Sequence, residues 1–405
     1  MVKILHLANL HFFRDAQANS MKNVLLKEAR AVHDLQDGEK LLIITGDFHN
    51  YWDEDYAAVE SFIKNLIEAM NIDPTQDVFI IPGNHDVGNE RTLQSLLEKK
   101  DTSWRLHNKI AITMLKNGDM SFLELRLQAF LPYSDFAHRI EVYTEDEANA
   151  LLPARVHVRS WRGKLNILHL NTALVADGTA KDSQMVDVES AVSDDVRAML
   201  MKDGLPVLVL GHNNFFDLDE KQQKLLQTAF GNLEHPNVSA YLCGDTHKIN
   251  PDDLKKRILL HPNDTTDPGI ANIICVKGIS DNHDTYSDFG FFWHEWNESS
   301  DAVLARLKSW DNDSLSDYYD NVKGNIRYKM RNSRAVTAWP SPAPIPATVP
   351  ASSAQDSELK MYLKDLLRRT RDNHPSFVLL KNDGIDEQLY PGVKEPKQLD
   401  RKSVV

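Results

Sequence analysis

The chain has 405 residues, 42% of them hydrophobic and 26% charged, with a formal net charge of −13. That length supports one large core, or one core with a small satellite. The acidic balance argues against a general polyanion binder, so a nucleic-acid substrate would need a local basic or metal-rich patch. The two cysteines, Cys243 and Cys275, have no paired spacing and read as buried thiols in a reducing cytosol. The first apolar run is too short and polar for a signal peptide, and no apolar run approaches the roughly 20 residues of a membrane span. A soluble, cytoplasmic protein with no membrane partner is expected.

In chain order, strands are predicted at 2–7 (VKILHL), 40–45 (KLLIIT), 78–82 (VFIIP), 164–170 (KLNILHL), 206–211 (PVLVLG), 238–244 (VSAYLCG) and 272–278 (NIICVKG). A helix is predicted over 57–70, where Val59, Phe62, Ile63, Leu66, Ile67 and Met70 form one apolar stripe. Weaker helical patterns cover 189–202 and 220–230. The runs ELRLQAF (124–130) and FGFFWHEW (289–296) are read as antiparallel additions to the sheets. Strand–helix alternation implies an α/β layered fold. Domain 1–337 is followed by a linker, 338–355, carrying five prolines among Ala, Ser and Thr. Residues 356–405 form a tail opening on a helix with Leu359, Tyr362, Leu363, Leu366 and Leu367 on one face. That face needs a partner domain or a second copy to cover it, and the chain reads as a piece of something longer.

Five segments share one grammar: an apolar strand, then at once a residue able to bind metal. They are Asn9-Leu10-His11, Gly46-Asp47, Gly83-Asn84-His85-Asp86, Gly211-His212 and Gly244-Asp245-Thr246-His247. In open α/β sheets, ligands gather at the carboxyl ends of strands. The donors are imidazole, carboxylate and amide oxygen without thiolate, a mix suited to Mn, Fe, Zn or Ni. The candidates are too many for one ion. Two ions about 3.5–4 Å apart, bridged by a shared carboxylate, would use them, and Asp47 is the natural bridge.

The order of these motifs resembles the calcineurin-like metallophosphoesterases, whose pattern runs Asp-x-His, Gly-Asp, Gly-Asn-His-Asp or Glu, a lone His, then Gly-His-x-His. The resemblance covers roughly residues 1 to 300 and implies a two-sheet β-sandwich flanked by helices, with a dinuclear site at the sheet edge. It implies one ion held by Asn9, His11, Asp47 and His247, and another by Asp47, Asn84, His212 and Asp245. It gives His85 a place beside the substrate, with Asp86 orienting it; the other reading of Asp86 is that it merely caps the turn. Two positions depart from the pattern: Asn9 stands where the family has Asp, and Asp245 where it has His. One carboxylate is lost and one gained, so the total is kept while ligand charge moves to the second ion. Asn9 still offers an amide oxygen. Engineered inactivation and decay into a binding module are the other readings of Asn9.

Lone histidines are more often structural, and His6 and His169 on strand runs are expected to be so; His49 has a smaller claim as a substrate contact. The basic runs Lys255-Lys256-Arg257 and Arg368, Arg369, Arg371 read first as solvated faces, with phosphate contact as the alternative. The expected function is a metal-dependent phosphodiesterase, first of all a nuclease, using two divalent ions, Mn first with Fe, Zn, Ni or Mg as alternatives. The ions would lower the pKa of a bridging water toward about 7 for in-line attack on phosphorus, and His85 would assist the leaving group. Its partner would then be a nucleic acid or nucleotide diester. A metal-impaired binding scaffold and a hydrolase of cyclic nucleotides or small phosphoesters are the alternatives. Substrate choice is expected from loops 101–160 and 279–288.

Overall fold

The structure is a computed structural model. It describes residues 1–11, 18–49, 55–87, 127–143, 152–174, 176, 193–201, 203–231, 237–246, 256–260, 269–276, 290–311, 314–317 and 325–331. The described elements fall within the compact unit Met1–Trp339. The expected linker 338–355 and tail 356–405 lie outside the described residues, as do loop 279–288 and most of 101–160.

In chain order the elements are β1 (Val2–Leu7), α1 (Ala18–Arg30), β2 (Lys40–Thr45), α2 (Ala57–Met70), α3 (Pro74–Asp77), β3 (Val78–Ile81), α4 (Leu131–Arg139), β4 (His157–Trp161), β5 (Leu165–His169), α5 (Asp194–Met201), β6 (Val207–Leu210), α6 (Glu220–Gly231), β7 (Val238–Thr246), β8 (Arg257–Ile258), β9 (Ile270–Val276), β10 (Gly290–Asn297), β11 (Ala302–Asp311), β12 (Ser314–Asp317) and β13 (Asn325–Lys329). The first sheet runs β12-β11-β10-β1-β2-β3, with β13 also on β11; the second runs β4-β5-β6-β7-β9-β8. Strands β1, β2 and β3 are parallel, and so are β5, β6, β7 and β9. The carboxyl ends of each parallel set therefore share one edge.

Side-chain alternation builds the layers. On the second sheet, Ile167, Leu208, Leu210, Leu242 and Ile273 join the core that also holds Ile4, Leu42, Ile44 and Ile80 of the first sheet. Their neighbours Leu168, Val209, Tyr241 and Ile274 face the other way, packing with Val196 and Leu200 of α5 and Leu226 and Phe230 of α6. The α2 stripe predicted from spacing is the buried face of that helix. The fold is thus α/β, two mixed sheets with flanking helices.

The seven predicted strands all form, within two residues of their expected ends, and 289–296 pairs antiparallel with β1 as expected. One expectation fails: in 124–130, the described residues 127–130 are helical turn rather than strand. Phe130 N–H bonds Leu127 O, and Ser134 N–H bonds Phe130 O, leading into α4. Pro132 sits in the first turn of that helix, where its missing N–H costs nothing and its fixed φ starts the helix. The 189–202 helix is described only from Asp194.

The free edges of the two sheets are tied by charge. Arg162, after β4, grips Asp77 at the end of α3 with Nε–Oδ1 2.6 Å and Nη2–Oδ2 2.7 Å, and Trp161 Nε1 donates to the same carboxylate at 2.8 Å. Asp77→Ala leaves a partly exposed guanidinium and the buried Trp161 Nε1 without their partner. It is expected to cost about 3 kcal/mol, read as a lower urea midpoint at unchanged slope. A loss below about 1 kcal/mol would mean that solvent screens the pair.

Candidate metal centre

Four of the described strand-end residues carry a left-handed backbone: Asn9 (φ 50°), His11 (40°), Asp47 (57°) and Asp245 (55°). Positive φ is uncommon outside glycine and is held only where the surroundings enforce it. Here the enforcement is interlocking of strand ends. Asn9 N–H bonds Gly46 O at 3.0 Å and His11 N–H bonds Asp47 O at 3.0 Å, so β1 and β2 stay paired beyond their strands. Gly46 itself has φ 87°, and a side chain there would strike His212 Nδ1; one on Gly83 would strike the Asp47 carboxylate. In β7 the register on β9 shifts between Cys243 and Thr246, which lifts Asp245 out of the ladder.

Asp47 is the hub. It is buried, and its two oxygens have separate tasks. Oδ1 accepts the His85 backbone N–H at 3.0 Å. Oδ2 stands 3.3 Å from His212 Nε2, 3.6 Å from His11 Nε2 and 3.9 Å from His85 Nε2. Two sets of side chains able to hold an ion share this residue: His11, Asp47 and His85, and Asp47, His212 and Asp245. His11 and His85 also meet edge to face, ring centroids 4.6 Å apart.

His212 shows why a cation belongs here. Its Nδ1 donates to Thr45 O at 2.7 Å, which turns Nε2 toward three oxygens: Asn84 Oδ1 at 3.0 Å, Asp47 Oδ2 at 3.3 Å and Asp245 Oδ1 at 3.9 Å. Oxygen acceptors converging on a ring nitrogen need a positive charge among them. Without metal, a proton on His212 serves. Burial alone would push that imidazolium down, but the Asp47 and Asp245 carboxylates outweigh it and raise the group to about 10. Burial would raise the Asp47 carboxyl, but His212, His85 and His11 hold it below the usual carboxylate range. A divalent ion bound by imidazole, carboxylate and amide oxygen fits the same place.

Asp86 is bonded to the two turns. Both oxygens of this buried carboxylate accept from the two turns. Oδ2 takes Asp47 N–H at 2.8 Å and Gly83 N–H at 2.8 Å; Oδ1 takes Phe48 N–H at 3.1 Å and the Tyr56 hydroxyl at 3.2 Å. A carboxylate placed to satisfy backbone donors at two strand ends braces those ends. Burial pushes Asp86 up to about 6, opposed by His49 and the Gly83 amide. His49 lies against Asp86, Nε2 to Oδ1 4.0 Å, and edge-on to the Tyr56 ring.

The structure therefore brings together Asn9, His11, Asp47, Asn84, His85, His212 and Asp245; His247 lies outside the described residues. The side chains of His85 and Asp245 are partly open, 13% and 19% exposed, while those of Asp47 and His212 are closed off, which sets the face a substrate would approach. Sequence reasoning missed Thr45, Tyr56, Thr172 and Asn213. Thr172 Oγ1 accepts both His212 N–H and Asn213 N–H at 3.0 Å. Asn213 Nδ2 donates to Asp245 Oδ2 at 2.6 Å. Only Asn213 had a signal, its place next to His212.

Metal ligation requires neutral imidazole, so an incoming ion must displace the His212 proton. Because that group titrates near 10, it is protonated throughout the neutral range. Apparent metal affinity should therefore rise with pH, at least about tenfold per unit around neutrality. Calorimetry in two buffers of different ionisation heat should read at least about one proton released per chain. No proton release would show that His212 is not displaced by the ion.

The family model described as calcineurin-like phosphoesterase matches residues 2–249. The chain is 22% identical over 256 residues to the "Uncharacterized metallophosphoesterase-like protein YydB" of Bacillus subtilis (strain 168); the match covers 61% of this chain and spans about half (49%) of that relative. Among solved structures it is similar to GAP50, described as the anchor in the inner membrane complex of Plasmodium (13% identity, 82% of this chain and 89% of that one, TM-score 0.37). It is also similar to a 5′-nucleotidase precursor from Thermus thermophilus (11% identity, 91% and 59%, TM-score 0.34). With a family match over more than half its length, the chain belongs to the calcineurin-like phosphoesterase family.

Proposed function

We propose that this phosphoesterase hydrolyses phosphodiesters, with nucleic acid as the first substrate class and Mn as the working metal. The observation that carries the diester reading is the charge of the site. Histidines surround the central carboxylates: His11, His85 and His212 stand around Asp47, and His49 faces Asp86. A diester brings one negative charge to the centre, which two divalent ions and imidazoles can balance. A monoester dianion calls for a further Arg or Lys, and none of the five metal-binding motifs carries one.

When bound, two divalent ions polarise the phosphoryl oxygens and supply a nucleophile at neutral pH. This chain's residues then divide the work. His11 and Asp47 would hold one ion, and Asp47, Asn84, His212 and Asp245 the other. Asp47 keeps its orientation because the His85 amide fixes its second oxygen. The His85 ring, on the open side of the cluster, can donate to a phosphoryl or leaving oxygen in the transition state. Asp86 and Tyr56 hold the turns that carry Asp47 and His85. Carboxylate and amide oxygens in this donor set support Mn.

The test is hydrolysis of bis(p-nitrophenyl) phosphate, p-nitrophenyl phosphate, single-stranded DNA and RNA under Mn, Mg, Zn and Ni. Diester cleavage should exceed monoester cleavage, with Mn the best metal. Faster monoester cleavage under every metal overturns the diester reading. Cleavage of the small diester with neither nucleic acid touched overturns the nuclease reading alone.

His85→Ala should keep both ions yet lower turnover by roughly 10²–10⁴-fold, the range for a positioned acid–base group. Metal content measured on the same preparation decides its role: if the variant loses an ion, His85 is a ligand.

A further inference from the structure

The residue at 9 and the residue after His212 meet at one place, Asp245. Asn9 is fully buried, and its Oδ1 accepts the backbone N–H of Asp245 at 3.0 Å. Asn213 is 3% exposed, and its Nδ2 donates to Asp245 Oδ2 at 2.6 Å. The two amides thus grip Asp245 from both sides, one at the backbone and one at the side chain. The second carboxylate oxygen, Oδ1, is left facing His212 Nε2 at 3.9 Å, inside the set formed with Asp47.

Three further observations mark this grip as built. Asp245 has φ 55°, a conformation a non-glycine residue keeps only under constraint. The constraint sits where β7 breaks register on β9, between Cys243 and Thr246. Asn213 is itself fixed: its N–H bonds Thr172 Oγ1, and its backbone oxygen accepts the Tyr241 hydroxyl at 2.9 Å. Its own Oδ1 is buried with no hydrogen-bond partner among the described residues. A buried acceptor without a partner is costly, so an amide turned this way is committed to its donor side.

We infer that Asn9 and Asn213 are positioning residues for Asp245, an amide clamp that makes Asp245 the carboxylate ligand of the second ion, and that Asn9 acts on the metal pair through Asp245 rather than as a ligand of the first ion. The inference rests on the reading of this centre as a two-ion site. It accounts for a neutral residue at 9: an amide oxygen accepts the Asp245 N–H without adding a second charge beside the carboxylate it positions. It also gives the relocated carboxylate what it lacks in a broken strand, a fixed direction.

The test is a Mn titration of the full chain by calorimetry, with bound metal counted independently. Asp245→Ala and His11→Ala identify which binding step belongs to which ion. Asn213→Ala and Asn9→Ala should each weaken the step that Asp245→Ala removes, by roughly 10–100-fold, the range for residues supporting a ligand. The His11 step should be unchanged. If Asn9→Ala removes the His11 step, Asn9 is a ligand of the first ion and the clamp is wrong. If Asn213→Ala leaves both steps unchanged, Asn213 positions nothing. The exchange Asn213→Asp with Asp245→Asn guards against mere loss of packing. It restores an amide–carboxylate contact with the carboxylate on the wrong residue. Thermal stability in chelator should recover, while the Asp245 step should stay weak. Recovery of that step overturns the role of orientation. A native chain that binds no Mn refutes the metal reading itself, an outcome distinct from unequal effects among the variants.

Discussion

The structure depends on one buried carboxylate between two strand ends. Asp47 follows β2, and the turn after β3 comes so close that only glycine fits at 83. That approach does two things at once. It delivers the His85 N–H to one oxygen of Asp47, and it leaves the other oxygen as the common neighbour of His11, His85 and His212. A residue able to serve two ions needs one fixed oxygen, or its side chain would rotate between them. The His85 amide supplies this within the first sheet, and the second sheet adds His212, whose Nδ1 bonds Thr45 O of the first.

The charge logic follows from burial. A buried carboxylate is costly unless compensated, and three imidazoles surround this one. They cannot all be protonated without repelling one another, so the site is balanced between protons and metal. The same logic explains why carboxylates are few. Asp47 and Asp245 face the cluster, whereas Asp86 is turned away onto backbone amides and the Tyr56 hydroxyl. A third carboxylate aimed inward would leave the metal-free protein with uncompensated charge.

Amides and backbone groups do most of the fixing. Thr45 O directs His212, the His85 N–H fixes Asp47, and Asn9 and Asn213 hold Asp245. Neutral groups suit this task because they set direction without altering the charge count. The four left-handed residues are the backbone counterpart. Asn9, His11 and Asp47 lie just past β1 and β2, and Asp245 lies where β7 breaks register on β9.

The sequence by itself determined the elements whose pattern is local. The α2 stripe, the seven apolar strands and the five motifs in which a strand runs into a metal-binding residue follow from side-chain periodicity and from glycine, properties of neighbouring residues. Those features were enough to bring Asn9, His11, Asp47, Asn84, His85, His212 and Asp245 to one edge. Strand β4, HVRSW, was illegible because its polar residues are made acceptable by distant partners: Arg159 by the carbonyls of Thr75 and Val78, Trp161 by Asp77. The run 124–130 misled because its apolar residues suit strand or helix alike, and Pro132 with the turn bonds decided for helix. Within the site, the sequence shows which donors exist but not where each atom points. Asp86 beside His85 in the chain suggested a pair or a turn cap, and its carboxylate bonds the two turns; Asn9 beside His11 turns out to address Asp245, 236 residues away. Only the tertiary structure decided those directions, because hydrogen bonds between strand ends are set by how two sheets pack and leave no periodic trace in the chain.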